Sequence, residues 1–140
     1  MTTMQTERLV LRPMVPRKEE HRADVEAGRA IGWDLVLGEL VIGMAALHHI
    51  DRKNLSAQLA WELDIEHRGK GLMTEAVRRV IDYAFRELGL HRLEAHVDPS
   101  NARSLRLAER LGLSREALLR QNVVEDGRFH DTVLFAVLSC

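Results

Sequence analysis

Two glycines and two cations, in the order Arg68-Gly69-Lys70-Gly71, stand immediately before a long amphipathic segment, and this juxtaposition is the strongest chemical signal in the chain. The first turn of a helix leaves N–H groups without partners and carries a partial positive charge, so phosphate oxygens are stabilised there. Gly69 and Gly71 let the backbone approach such an anion closely, while Arg68 and Lys70 add formal positive charge. Residues 66–74, ending with Leu72, Met73 and Thr74, therefore read as a phosphate-cradling turn. Two better-known phosphate loops do not describe it. A P-loop needs a glycine separated by four residues from a Gly-Lys pair followed by Ser or Thr, and a dinucleotide fingerprint needs a glycine where the chain has Thr74.

The turn has to be held between a strand and a helix, and the flanking patterns supply both. Upstream, residues 56–63 alternate Leu59, Trp61 and Leu63 against Gln58, Ala60 and Glu62, as a half-buried strand does. Downstream, apolar residues recur at a period near 3.6 from Leu72 to Leu88, and Gly89 closes the helix. Earlier in the chain, Leu9, Val10 and Leu11 form a short strand stopped by Pro13 and Pro16, and residues 17–30 form a weak helix. Residues 33–37 and 40–47 make a hairpin around Gly38-Glu39. After the main helix come a strand through Leu93, Ala95 and Val97, a helix opened by Asn101 and closed by Gly112, a stretch of mixed pattern over 114–124, and an apolar strand over 132–138. Counting the mixed stretch as a strand, the order is strand, weak helix, three strands, helix, strand, helix, two strands, which makes one α+β domain over residues 1–140.

Bulk properties bound the function. Apolar residues make up 46% of the chain and charged residues 29%, an ordinary globular mixture. Lys and Arg number 20 against 21 Asp and Glu, so no overall field recruits nucleic acid or an anionic membrane. Cys140 is the single cysteine, which excludes an intrachain disulfide and fits a reducing, cytoplasmic setting. Neither a classical secretion signal nor the ~20 apolar residues of a membrane span is expected. His48 and His49 are adjacent, and His91, His96 and His130 lack zinc-ligand spacing, so no metal site is expected.

Arg68-Gly69-Lys70-Gly71-Leu72-Met73 resembles the acyl-CoA pyrophosphate signature R/Q-x-x-G-x-G/A of the GNAT acyltransferase superfamily, with Met73 in place of the usual small last residue. The segment from Thr6 to Pro13, the run Asn101-Ala102-Arg103-Ser104 and the run Arg110-Leu111-Gly112-Leu113 resemble, in the same order, the branch that acetylates ribosomal-protein N-termini. The resemblance implies the GNAT acyl-CoA N-acyltransferase fold, a mixed and mostly antiparallel sheet of six to seven strands with helices on both faces. It implies acetyl-CoA as cosubstrate and a primary amine as acceptor, either a protein or peptide α-amine or a small amine such as a polyamine or antibiotic; a non-catalytic CoA-binding module is the further alternative. One departure stands out. The branch carries two helices between its first and second strands, and here Met14 to Ile31 leaves room for about one at 1.5 Å per residue.

The resemblance also implies site residues. The two strands around the cofactor splay, and a backbone N–H between Leu63 and Ile65 faces the thioester carbonyl. The tyrosine that related enzymes carry on the second helix is absent near Ala108, so Ser104 is the candidate acid for the departing thiolate. Glu62 is the candidate base, acting through water, and Asn101 either holds the pantetheine arm or caps its helix. Arg103 and Arg106 stand where CoA phosphates would pass, or are merely solvated. Asp131 is expected to order structure and His130 to lie toward the acceptor. Tyr83 is expected to pack, and a homodimer is expected as a possible assembly.

Overall fold

Leu72, Met73, Ala76, Val77, Val80 and Ala84 are all buried along one stripe, and their burial against a sheet is what holds the longest helix of the domain. The structure is a computed structural model that describes residues 2–16 and 18–140; of the helix expected over 17–30, Arg17 lies outside the described residues. In chain order the elements are β1 (Met4–Gln5), β2 (Val10–Pro13), α1 (Glu19–Glu26), β3 (Ile31–Leu37), β4 (Leu40–Asp51), β5 (Ser56–Leu63), a single 3-10 turn (Ile65–His67), α2 (Leu72–Arg86), β6 (Arg92–Val97), α3 (Ala102–Arg110), β7 (Ser114–Glu125) and β8 (Arg128–Leu138).

The strands form one sheet in the order β1-β2-β3-β4-β5-β6-β8-β7. Every neighbouring pair is antiparallel except β5 and β6, which are parallel because the chain crosses over through α2 between them. The eighth strand, beyond the six or seven expected, is β1, whose two residues pair with Val10 and Leu11 and are too short to show an alternation. β2 runs through Pro13, which ends the strand opposite Trp33. The mixed stretch after α3 becomes the twelve-residue β7, exposed along nearly its whole length and paired with β8 across two register shifts. Its pattern shows no buried face because it covers none.

Alternation assigns the two faces of the sheet. Trp33, Leu35, Leu47, Leu59, Leu93, Val133 and Phe135 are buried on the face that carries α2 and α3, where Trp33 meets Tyr83 edge-on with ring centroids 5.3 Å apart. Helices are expected on both faces, and the cover is unequal. α2 and α3 pack on one face, α1 is only eight residues long and buries none of them, and Met44, Gln58, Ala60 and Leu134 on the second face are half-buried. Among the described residues no helix is long and apolar enough to cross a membrane.

Candidate functional site

β5 and β6 are hydrogen-bonded only from Ser56↔Arg92 to Leu59↔Ala95. Beyond that point β5 stays registered on β4 as far as Gly43↔Leu63, and β6 stays on β8 as far as Val97↔Val133. The two parallel strands therefore part into a V whose arms leave backbone groups without sheet partners. Gly43 permits the lean of β5 toward β4, since a Cβ there would lie well inside contact distance of the Glu62 carbonyl oxygen and 3.0 Å from Leu63 Cα.

At the open end of the V lies a cavity of about 440 Å3. Its walls are Trp61, Glu62 and Leu63 from β5, Arg68, Gly69 and Gly71 to Thr74 from the turn, and Asn101, Arg103, Ser104 and Arg106 from α3. Gly69 and Gly71 take φ of 79° and 78°, the left-handed region that only glycine occupies without cost. Gly71 is the N-cap of α2 and no side chain caps it; the first intrahelical bond runs from Glu75 N–H to Gly71 C=O at 3.1 Å. The N–H groups of Leu72, Met73 and Thr74 are thus free to meet an anion. Arg68 donates from Nε to the Leu63 carbonyl at 2.9 Å, tying the turn to the arm of the V. Ile65 and Lys70, also expected at the site, do not line the cavity: Ile65 is 74% exposed, and the Lys70 carbonyl points to Arg8.

Arg8 and Glu75 form a clamp that sequence reasoning did not single out. Arg8 donates from Nη1 to Lys70 C=O at 2.9 Å and from Nε to Glu75 Oε1 at 2.8 Å, and its backbone N–H reaches Glu75 Oε2 at 2.9 Å. Thr6 Oγ1 donates to the same carboxylate. Burial pushes the Glu75 carboxyl up, but these hydrogen bonds and the Arg8 charge outweigh it and hold the pKa below the ordinary value. Glu75 is therefore an anion that fixes the first turn of α2 to the loop between β1 and β2. The only sequence signal was a Thr-Glu-Arg run far from any helix.

Trp61 is the second residue missed. Its Nε1–H donates to Ser104 Oγ at 3.1 Å, across the floor of the cavity. With the oxygen accepting from indole, the single hydroxyl proton of Ser104 is directed elsewhere. A tryptophan on a buried strand face needs a partner for its N–H, which is the cue the alternation concealed. Asn101 caps α3 by accepting the Ser104 N–H at 3.1 Å, so the cap also orients the serine. Glu62 lies on the opposite face of β5 from Trp61 and is exposed there, level with the mouth of the V. Among the described residues no group of three or more His, Cys, Asp or Glu is placed to hold a metal.

The sheet, the V and the uncapped helix together match a known domain: residues 3–114 fit the acetyltransferase (GNAT) domain. This chain belongs to the GNAT acetyltransferase family. It is 46% identical over 100 residues to a probable N-acetyltransferase, YjcK, of Bacillus subtilis, covering 71% of this chain and 55% of that protein. It is 35% identical over 98 residues to the ribosomal protein uS5 alanine N-acetyltransferase of Escherichia coli, covering 69% and 50%. The dodecameric spermidine N-acetyltransferase of Vibrio cholerae superposes with a TM-score of 0.77 at 26% identity, covering 86% of this chain and 71% of that one. The chain spans about half the length of the curated relatives it matches. Within the GNAT signature, the bulky Met73 is accommodated because its side chain is packed in the core, only 7% exposed, under α2.

Proposed function

We propose that this GNAT domain moves an acetyl group from acetyl-CoA to a primary amine by direct attack, the preferred acceptor being the α-amine of a protein or peptide. The carrying observation is the uncapped, glycine-led start of α2 opening into a cavity at the parting of β5 and β6. The free N–H groups of Leu72, Met73 and Thr74, with Arg68, receive the pyrophosphate. The groove beyond Gly71, flanked by Arg78 and Arg110, receives the phosphoadenosine end. The pantetheine arm runs past Asn101, and the Leu63 N–H, which faces away from β4 because the neighbouring Asp64 N–H is the one that donates to Ile42 C=O, polarises the thioester carbonyl.

Chemistry then follows from the two faces. An ammonium acceptor entering from the open face meets Glu62, which removes one proton through water and leaves a lone pair free to attack. As the C–S bond breaks, Ser104 gives its proton to the thiolate, while the Trp61 N–H stabilises the serine oxygen left behind. A thiol of pKa ~8.5 is an undemanding leaving group, and an α-amine near ~7.7–8.0 needs less help than lysine at ~10.4. The half-buried second face of the sheet also suits the end of a large molecule better than a small amine, which needs enclosure to bind. A polyamine is the second reading, supported by the Vibrio relative and by the exposed Glu62 carboxylate. Homodimerisation remains part of the proposal only as an assembly that would thicken this face.

Calorimetric titration with acetyl-CoA, followed by thiol-release assays on an alanine-led peptide and on spermidine, tests the reading. Micromolar binding with faster turnover of the peptide is expected; faster turnover of spermidine selects the second acceptor, and absence of binding rejects both. Trp61→Phe keeps the ring and loses the N–H. It should lower kcat by about tenfold, and Ser104→Ala by about a hundredfold, with acetyl-CoA affinity in both within about twofold of the parent. Equal kcat in all three proteins by stopped-flow thiol release would remove Ser104 from the mechanism.

A further inference from the structure

We propose that His130, held by Asp98, is a second proton acceptor of this site, taking the proton that the acceptor nitrogen sheds once its bond to the acyl carbon has formed. This rests on the acetyl-transfer reading above. The placement comes from the sheet. Carrying the Leu59↔Ala95 register forward sets Asp98 level with Glu62 across the V, and carrying Val97↔Val133 forward sets His130 just beyond it on β8. Val97 and Val133 are buried toward α2 and α3, so alternation turns Asp98 and His130 to the other face, the one Glu62 occupies. Glu62 on β5 and the Asp98–His130 pair, set past the end of β6 and on β8, therefore stand on the same face of the sheet on either side of the V.

The pair is built to hold an imidazole in one orientation. Asp98 Oδ2 is 3.3 Å from His130 Nδ1, and Asp98 Oδ1 accepts both the Ser100 N–H at 2.8 Å and the Ser100 hydroxyl at 2.7 Å. Those Ser100 hydrogen bonds, with a smaller contribution from His130, hold the Asp98 carboxyl below its ordinary pKa despite some burial. The Asp98 carboxylate faces Nδ1, which leaves Nε2 as the ring nitrogen turned away from it. The Asp98 carbonyl also accepts the Asn101 N–H at 2.9 Å, so the turn that sets the imidazole is the turn that leads to Ser104. Both side chains are 35% exposed, which gives the accepted proton a way out to water.

Proton bookkeeping leaves a role for such a group. An ammonium acceptor loses one proton before attack, to Glu62 through water. When the nitrogen lone pair forms the C–N bond, the nitrogen becomes positive again and must lose a second proton, which passes to His130 Nε2 and then to solvent. The C–S bond breaks, the sulfur takes the Ser104 proton, and solvent reprotonates the serine. The sum is one amide, one free thiol and one proton released.

The test uses His130→Ala and His130→Gln, with acetyl-CoA as donor and the alanine-led peptide or spermidine as acceptor. A fall in kcat on the order of 100-fold is expected in both, with acetyl-CoA affinity by calorimetry within about twofold of the parent. Added imidazole should restore part of the His130→Ala rate in proportion to its concentration, which a merely structural role would not do. Asp98→Asn should lower kcat by about tenfold. A His130→Ala rate within about twofold of the parent overturns the proposal, and so does a lost rate that imidazole fails to rescue. A parent protein that binds acetyl-CoA but acetylates neither amine overturns the acetyl-transfer reading itself, a result distinguishable because binding is measured apart from turnover.

Discussion

Gly71→Glu is expected to yield a folded domain that no longer binds acetyl-CoA, with Kd raised at least about 100-fold. Space is not the obstacle, since the nearest atom to a Cβ at this position is Arg8 Nη2 at 3.5 Å. The φ of 78° costs a non-glycine residue roughly 1–2 kcal/mol. Against that, a carboxylate at the start of a helix gains about 0.3–1 kcal/mol by meeting free N–H groups and the positive end of the dipole. Stability should therefore change little. Binding should not survive, because the new carboxylate occupies the N–H groups of Leu72, Met73 and Thr74 and repels the pyrophosphate that would displace it. Calorimetry and a thermal melt on the same sample separate the two quantities. Unchanged affinity in a folded variant would refute the placement of the phosphate site.

Gly43→Ala is the second large effect, and its cause is steric. The added methyl would overlap the Glu62 carbonyl oxygen and crowd the Glu62 carbonyl carbon at 3.2 Å, all of it backbone with no rotamer to yield. Either the β4 to β5 pairing opens at Gly43↔Leu63 or the end of β5 is pushed into the V. Overpacking of this kind costs about 1–3 kcal/mol, and here it also shifts the arm that carries Trp61, Glu62 and Leu63. Both the urea midpoint and acetyl-CoA affinity are expected to fall. Gly32→Ala is the matched control, because the methyl there meets the flexible end of Met14, which can move aside. If Gly43→Ala proves as stable and as tight-binding as Gly32→Ala, the close approach of β4 and β5 is not what opens the site.

What could be read without coordinates was local in the chain. The period from Leu72 to Leu88, the glycine pair before it and the cap at Asn101 are set by neighbours within a turn, so sequence alone located α2, the glycine-led turn before it and the start of α3. The packing of Tyr83 and the brevity of the segment before β3 were legible for the same reason. β1 was too short to carry a pattern, and β7 carried none because a strand exposed along its length has no buried face to select apolar residues.

The site itself depended on contacts between distant residues. Trp61 meets Ser104, Arg8 meets Lys70 and Glu75, and Asp98 meets His130, each pair brought together by strand register or by the crossover and not by sequence spacing. Alternation told which face Glu62 takes, but which strand stands across from it, and where β5 and β6 cease to pair, are properties of the closed sheet. The chain by itself determined where unpaired helix-terminal N–H groups stand behind a glycine-led turn, because those groups and glycine backbone angles are local. Only the tertiary structure decided which side chains stand around the opening between β5 and β6, because hydrogen-bond register between strands far apart in sequence is settled by the packing of the whole sheet against α2 and α3.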